Sequence, residues 1–135
     1  MFIGEFEAKI DTQGRFLLPL VVRNQLVVKD FVLNRGFNSA INLYPLPAWE
    51  SYLNDLMQLD TNNNEVRAYK RIVLNGATPV ELDSTGRILL PKMLLEYANI
   101  QKDIVILGLK NYFEIFDTHT YLKFLEDNSG YLPEL

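Results

Sequence analysis

Arg15 and Arg87 each hold the fifth position of one nine-residue stretch. Asp11-Thr12-Gln13-Gly14-Arg15-Phe16-Leu17-Leu18-Pro19 recurs as Asp83-Ser84-Thr85-Gly86-Arg87-Ile88-Leu89-Leu90-Pro91, with Asp, Gly, Arg, Leu, Leu and Pro kept at an offset of 72 residues. A guanidinium can donate two hydrogen bonds to guanine O6 and N7, or pair with a phosphate. Gly14 and Gly86 stand where a tight turn needs positive φ. Asp11 and Asp83, three positions earlier, can accept hydrogen bonds from the turn's own amides. The stretch therefore reads as a rigid turn that presents an arginine. Thr12, Gln13, Ser84 and Thr85 are polar neighbours that could reach backbone or base edges beside it. The plain alternative is a hairpin turn whose arginine pairs with its own aspartate, a surface ion pair worth little.

Other chemistry is thin. Two copies of Asp-Thr/Ser suggest a carboxylate dyad sharing one proton, as in aspartic proteases. One extra residue separates the hydroxyl residue from the glycine, however, and no flanking pattern supports that match. His119 is the single histidine, which excludes a multi-histidine metal site and reads as a helix-surface residue. Only a triad built on His119 could serve a serine nucleophile. The seven glycines are scattered and compose no phosphate-binding or dinucleotide fingerprint. No enzyme, cofactor or metal is expected.

The elements around the two turns repeat as well. Phe2, Gly4, Phe6, Ala8 and Ile10 alternate with Glu5, Glu7 and Lys9, the period of a half-buried strand. After the first turn the pattern predicts a strand over Phe16–Leu18 and a short helix from Pro19 to Leu26, with the proline in its first turn. Phe31–Leu33 and Ile41–Tyr44 read as a hairpin around the turn cluster 34–38. Trp49, Tyr52, Leu53 and Leu56 recur at helical spacing over 47–59, as a core-facing stripe. Capping residues at 61–64 introduce a helix over 65–74 closed by Asn75-Gly76, with Arg67, Lys70 and Arg71 on a solvated face. From Gly76 the pattern restarts. Val80 and Leu82 take the places of Ala8 and Ile10, and Pro91 leads a helix with Met93, Leu94, Leu95 and Ala98 apolar. Ile104–Leu107 and Phe113–Phe116 repeat the strand pair, and Tyr121 replaces Trp49 in a helix from Thr118 to Glu126. Residues 129–133 read as an irregular, mobile tail.

Composition bounds the alternatives. The chain has 135 residues, 48% hydrophobic and without cysteine, so it has the material for a core and no disulfide or thiolate chemistry. The start, Met1–Glu5, lacks a signal-peptide pattern, and no apolar run approaches the roughly 18 residues of a membrane span. A cytoplasmic protein is expected. The net charge is −4, with five Lys/Arg against seven Asp/Glu in residues 1–60. A nucleic-acid-binding face must then be assembled from a few cations, since surface distribution rather than net charge decides binding.

These residues resemble the MraZ family of bacterial transcriptional regulators over essentially the full chain. The resemblance rests on the Met1-Phe2-Ile3-Gly4 start and the two DxxGR turns leading into LLP. It also rests on Tyr44-Pro45 ahead of Trp49-Glu50, and on Arg71 followed by Gly76-Ala77. It implies an α+β fold of two AbrB-like half-units in pseudo-two-fold relation: 1–60 with its helix, a connecting helix at 61–75, and 76–135. It further implies a homo-oligomer closed into a ring, cytoplasmic and nucleoid-associated. Such a ring would bind short direct repeats in double-stranded DNA ahead of the cell-division and cell-wall gene cluster, including its own gene. By position, Arg15 and Arg87 carry over as DNA-contacting residues. The chain departs from the family pattern at Leu95, which stands where the first half has Arg23, and at Asn75, Tyr112 and Phe116. A rival reading is a protein-interaction or oligomerisation module of antitoxin type with no specific DNA target of its own.

Overall fold

The structure, a computed structural model, describes residues 1–131. In chain order the first half runs β1 (Phe2–Lys9), β2 (Arg15–Leu17), α1 (Leu20–Arg23), β3 (Asp30–Arg35), β4 (Ile41–Pro45), α2 (Leu46–Met57) and α3 (Asn64–Gly76). The second runs β5 (Thr78–Glu81), β6 (Arg87–Leu89), α4 (Lys92–Tyr97), β7 (Asp103–Lys110), β8 (Phe113–Asp117) and α5 (Thr118–Asp127). Both hairpins are written as apolar runs, and each run is buried on both faces of a sheet, as strands of that composition require. Phe31, Leu33, Ile104 and Ile106 point into the main core, while Val32 and Val105 point the other way. The result is an α+β fold of three layers. A six-stranded antiparallel sheet, ordered β1-β7-β8-β4-β3-β5, lies in the middle. The two-stranded ribbon β2-β6 packs on one face with residues from α1 and α4, through Phe16, Leu18, Val22, Ile88, Leu90 and Leu94. Helices α2 and α3 cover part of the opposite face, and α5 covers another part.

Register shows how the halves interlock. β1 pairs with β7 of the other half, and β5 returns the exchange by pairing with β3. At the centre Asn42 faces Glu114 in the β4–β8 pair, and Phe16 faces Ile88 in the β2–β6 pair. Each pair joins residues 72 positions apart, so a pseudo-two-fold axis passes through both. The symmetry slips by one residue in the hairpins, where Leu33 faces Leu43 but Ile106 faces Ile115. The first hairpin absorbs its extra residue in a turn with Asn38 and Ser39 at positive φ.

Several local expectations are corrected. Pro19 and Pro91 are N-cap residues, one position before their helices, and α1 ends at Arg23 rather than Leu26. Gly76 closes no left-handed cap. It lies in the last turn of α3, where a Cβ would come within 2.7 Å of Asn34 Oδ1 and 2.8 Å of Arg35 Nε. Close approach, not φ, requires glycine there. Lys70 leaves the solvated face: it is buried and donates from Nζ to Leu59 O at 2.9 Å, satisfying a carbonyl just beyond α2. Met93 is exposed. Ser129–Tyr131 form a 3-10 turn, while Leu132 and Pro133 of the expected tail lie outside the described residues. The capping role of the 61–64 stretch holds, with Asn63 Oδ1 accepting from the amides of Glu65 and Val66.

Ile88 and Leu17 separate core from surface on the ribbon. Ile88→Ala should lower unfolding free energy by about 2–5 kcal/mol in urea titrations, whereas Leu17→Ala, on the outer face, should cost under about 1 kcal/mol.

Candidate nucleic-acid interface

Each DxxGR stretch folds into the same hydrogen-bonded turn. Asp11 Oδ1 accepts from the amides of Gln13 and Arg15, both at 2.9 Å. Asp83 Oδ1 accepts from the amides of Thr85 and Arg87 at 2.9 Å, and from Thr85 Oγ1 at 2.7 Å. The amides of Gly14 and Gly86 donate to the carbonyls of Asp11 and Asp83 at 3.1 Å. Gly14 and Gly86 have φ of +86° and +85°, the left-handed region that glycine enters without a Cβ clash. The aspartates therefore build the turns and are not the ion-pair partners of the arginines. Among the described residues no salt bridge joins Arg15 to Asp11 or Arg87 to Asp83.

The arginines are braced by their polar neighbours. Arg15 Nη1 donates to Gln13 Oε1, and Arg87 Nη1 donates to Thr85 Oγ1 at 3.0 Å. Thr12, Gln13, Ser84 and Thr85 are exposed at the turn tips. In the ribbon Arg15 faces Leu89 and Leu17 faces Arg87. Strand alternation buries Phe16 and Ile88 and turns these four residues outward. The fold thus brings Arg15 and Arg87 onto one face of one ribbon, flanking the pseudo-axis.

Both aspartates have depressed carboxyl pKa values. For Asp11 the Arg15 amide bond is the main cause, and the Gln13 amide and the charges of Arg15 and Arg87 add to it against some desolvation. For Asp83 the Arg87 amide leads, followed by the Thr85 hydroxyl. A shared-proton dyad needs one carboxyl raised, so this arrangement opposes the aspartic-protease alternative.

Arg23 is the residue whose place the local sequence does not show. A Cβ at Gly86 would lie 2.7 Å from Arg23 Cδ and 3.0 Å from its Nη1, while Arg23 Nε donates to Leu18 O at 2.9 Å. The first half's arginine therefore lies against the second half's turn. Its counterpart Leu95 lies against the first turn, 3.5 Å from where a Gly14 Cβ would be. The available signal was the Arg23/Leu95 mismatch, but only the crossed packing says which turn receives the charge.

Two family-model matches, to "MraZ protein, putative antitoxin-like", cover residues 1–72 and 73–130. The chain belongs to the MraZ family. Each matched MraZ unit contains one DxxGR turn, so the ribbon that carries both arginines takes one strand from each unit. Similar relatives are named Transcriptional regulator MraZ. The one from Cytophaga hutchinsonii is 36% identical over 99% of this chain and 91% of its own length. Those from Natranaerobius thermophilus and Symbiobacterium thermophilum are 40% identical over 86% of this chain and 80% of their length, and 38% over 98% and 96%.

The lowered aspartate pKa values set the sign of an acid response. Each aspartate contributes stability above its ordinary value of 3.8, and that contribution is lost as pH falls through the lower folded value. Melting temperatures followed by circular dichroism should fall in this window for wild type. Asp11→Asn with Asp83→Asn should melt lower at neutral pH and show a flatter acid limb.

Proposed function

We propose that this MraZ-family chain is a transcriptional regulator that binds double-stranded DNA in a sequence-specific manner through Arg15 and Arg87. The observation that carries this reading is the shared ribbon face. Two guanidiniums, unpaired with the turn aspartates, stand on one outward surface beside exposed Thr12, Gln13, Ser84 and Thr85. The relatives' name supports the regulatory role. Asp11, Gly14, Asp83 and Gly86 hold the turns in shape, and Arg23 adds positive charge at the second turn.

Family membership supports the finer reading. The target is a set of short direct repeats ahead of the cell-division and cell-wall gene cluster, including the regulator's own promoter. The chain acts there as a ring-shaped homo-oligomer, cytoplasmic and nucleoid-associated. A ring that engages several repeats at once gains from effective concentration, which compensates for a net charge of −4. Among the described residues no helix is long and apolar enough to cross a membrane.

Fluorescence anisotropy with DNA from upstream of the gene tests the proposal across a salt series. Arg15→Ala and Arg87→Ala should each weaken binding by about 1–3 kcal/mol where the arginine reads a base, with melting temperature unchanged. A phosphate-contacting arginine should instead lower the salt slope by about 1 on all sequences. Arg23→Leu should weaken binding through the second turn and leave the effect of Arg15→Ala intact. A folded oligomer that ignores this DNA at low salt but co-purifies with a stoichiometric protein partner would favour the antitoxin-type module.

A further inference from the structure

The face of the sheet opposite the ribbon carries a cleft that DNA reading does not use. It lies between α2, α3 and the β7–β8 hairpin and has a volume of about 630 Å³, within the range of about 300–1,000 Å³ typical of small-molecule sites. Its floor includes Asn42 and Glu114, the cross-strand pair on the pseudo-axis. Tyr44 is stacked between Tyr52, at 5.7 Å and 9°, and Tyr112, at 4.8 Å and 16°. The internal asymmetry opens this space, because α3 lies beside the first hairpin and has no counterpart among the described residues of the second half.

Among the described residues the lining leaves a buried acceptor, Asn42 Oδ1, and a buried donor, Arg35 Nε, without partners, and adds one half-buried, unpaired carboxylate. Glu114 is half-buried, and among the described residues its carboxylate has no hydrogen-bond or ion-pair partner; desolvation accordingly raises its pKa above the ordinary 4.5. Asp55, also on the lining, has no salt bridge among the described residues. Arg35, the one cation among the described lining residues, is turned to α3, donating from Nη2 to Ile72 O at 3.3 Å and packing its unpartnered Nε against Gly76. Tyr44 is pushed up to about 12 by burial, so it stays a neutral ring at physiological pH. The unpaired Glu114 carboxylate and the aromatic surfaces beside it together suit a positively charged ligand. We propose that this cleft binds an organic cation, an amine or alkylammonium of a few carbons, with its charge at Glu114 and its methylenes against Tyr44, Tyr52 and Tyr112. This site does not depend on the DNA-binding reading.

Isothermal titration calorimetry of the full chain at fixed ionic strength tests it, with cadaverine and choline as probes. Saturable binding of one equivalent per chain is expected for at least one of them. Cadaverine alone would mark a hydrogen-bonding ammonium site, and choline alone an aromatic cage. Glu114→Gln should weaken binding by about tenfold or more, while melting at the same or higher temperature, because it removes an unpaired half-buried charge. Tyr112→Leu should weaken binding through loss of the ring and serves as the second variant if Glu114→Gln misfolds. Absence of saturable binding up to about 10 mM, or equal affinity in wild type and both variants, overturns the proposal. So does a cleft occupied by a second copy, revealed when the variants change the sedimentation coefficient and neither probe binds.

Discussion

Pairing between β2 and β6 is the constraint on which the rest of the fold depends. Each strand has only three residues, too few to persist alone. The ladder is extended by Leu18 N donating to Gly86 O at 3.0 Å and Leu90 N donating to Gly14 O at 2.8 Å, so each half's strand is tied to the other half's turn. Phe16 and Ile88 drive the pairing by burying their side chains at the pseudo-axis. Once that contact forms, period-2 geometry leaves Arg15 and Arg87 no choice but the outer face. The arginine-bearing surface is therefore a property of the joined halves.

The strand exchange in the large sheet reinforces the same dependence. With β1 on β7 and β5 on β3, neither half completes its sheet from its own strands. The two turns and the two edge strands are locked by one set of inter-half contacts, through a core that includes Phe31, Leu33, Ile104 and Ile106. Loosening one half exposes the apolar face of the other.

Symmetry of backbone is combined with asymmetry of side chain. The turns share φ values and amide bonds, but Gln13 braces one arginine and Thr85 the other, and Arg23 lies at only one of the two turns. Arg15, Arg23 and Arg87 are thereby gathered at the two turns, beside Asp11 and Asp83, on a chain whose net charge is −4, and a ligand meets that local distribution rather than the net charge. On the opposite side α3 breaks the symmetry again, burying Lys70 and Val73 and leaving the tyrosine-lined cleft on the axis.

The repeat, the α+β class, the order of elements and the Asx-type turns were legible in the residues, because each rests on local chemistry. An aspartate three positions before a glycine finds its own amides, and alternating or helically spaced apolar residues select their period. Family membership was legible for the same reason, since two DxxGR copies with their flanks are a local pattern. Helix ends were less so: α1 stops at Arg23 and Gly76 stays helical, because contacts from other elements decide where a short helix ends. What only the tertiary structure decided is which half meets which. The exchange of β1 and β5, the placement of Arg23 at Gly86, the burial of Lys70 and the isolation of Glu114 all join residues distant in the chain. Their energies come from packing and desolvation across the pseudo-axis, and no local pattern encodes that.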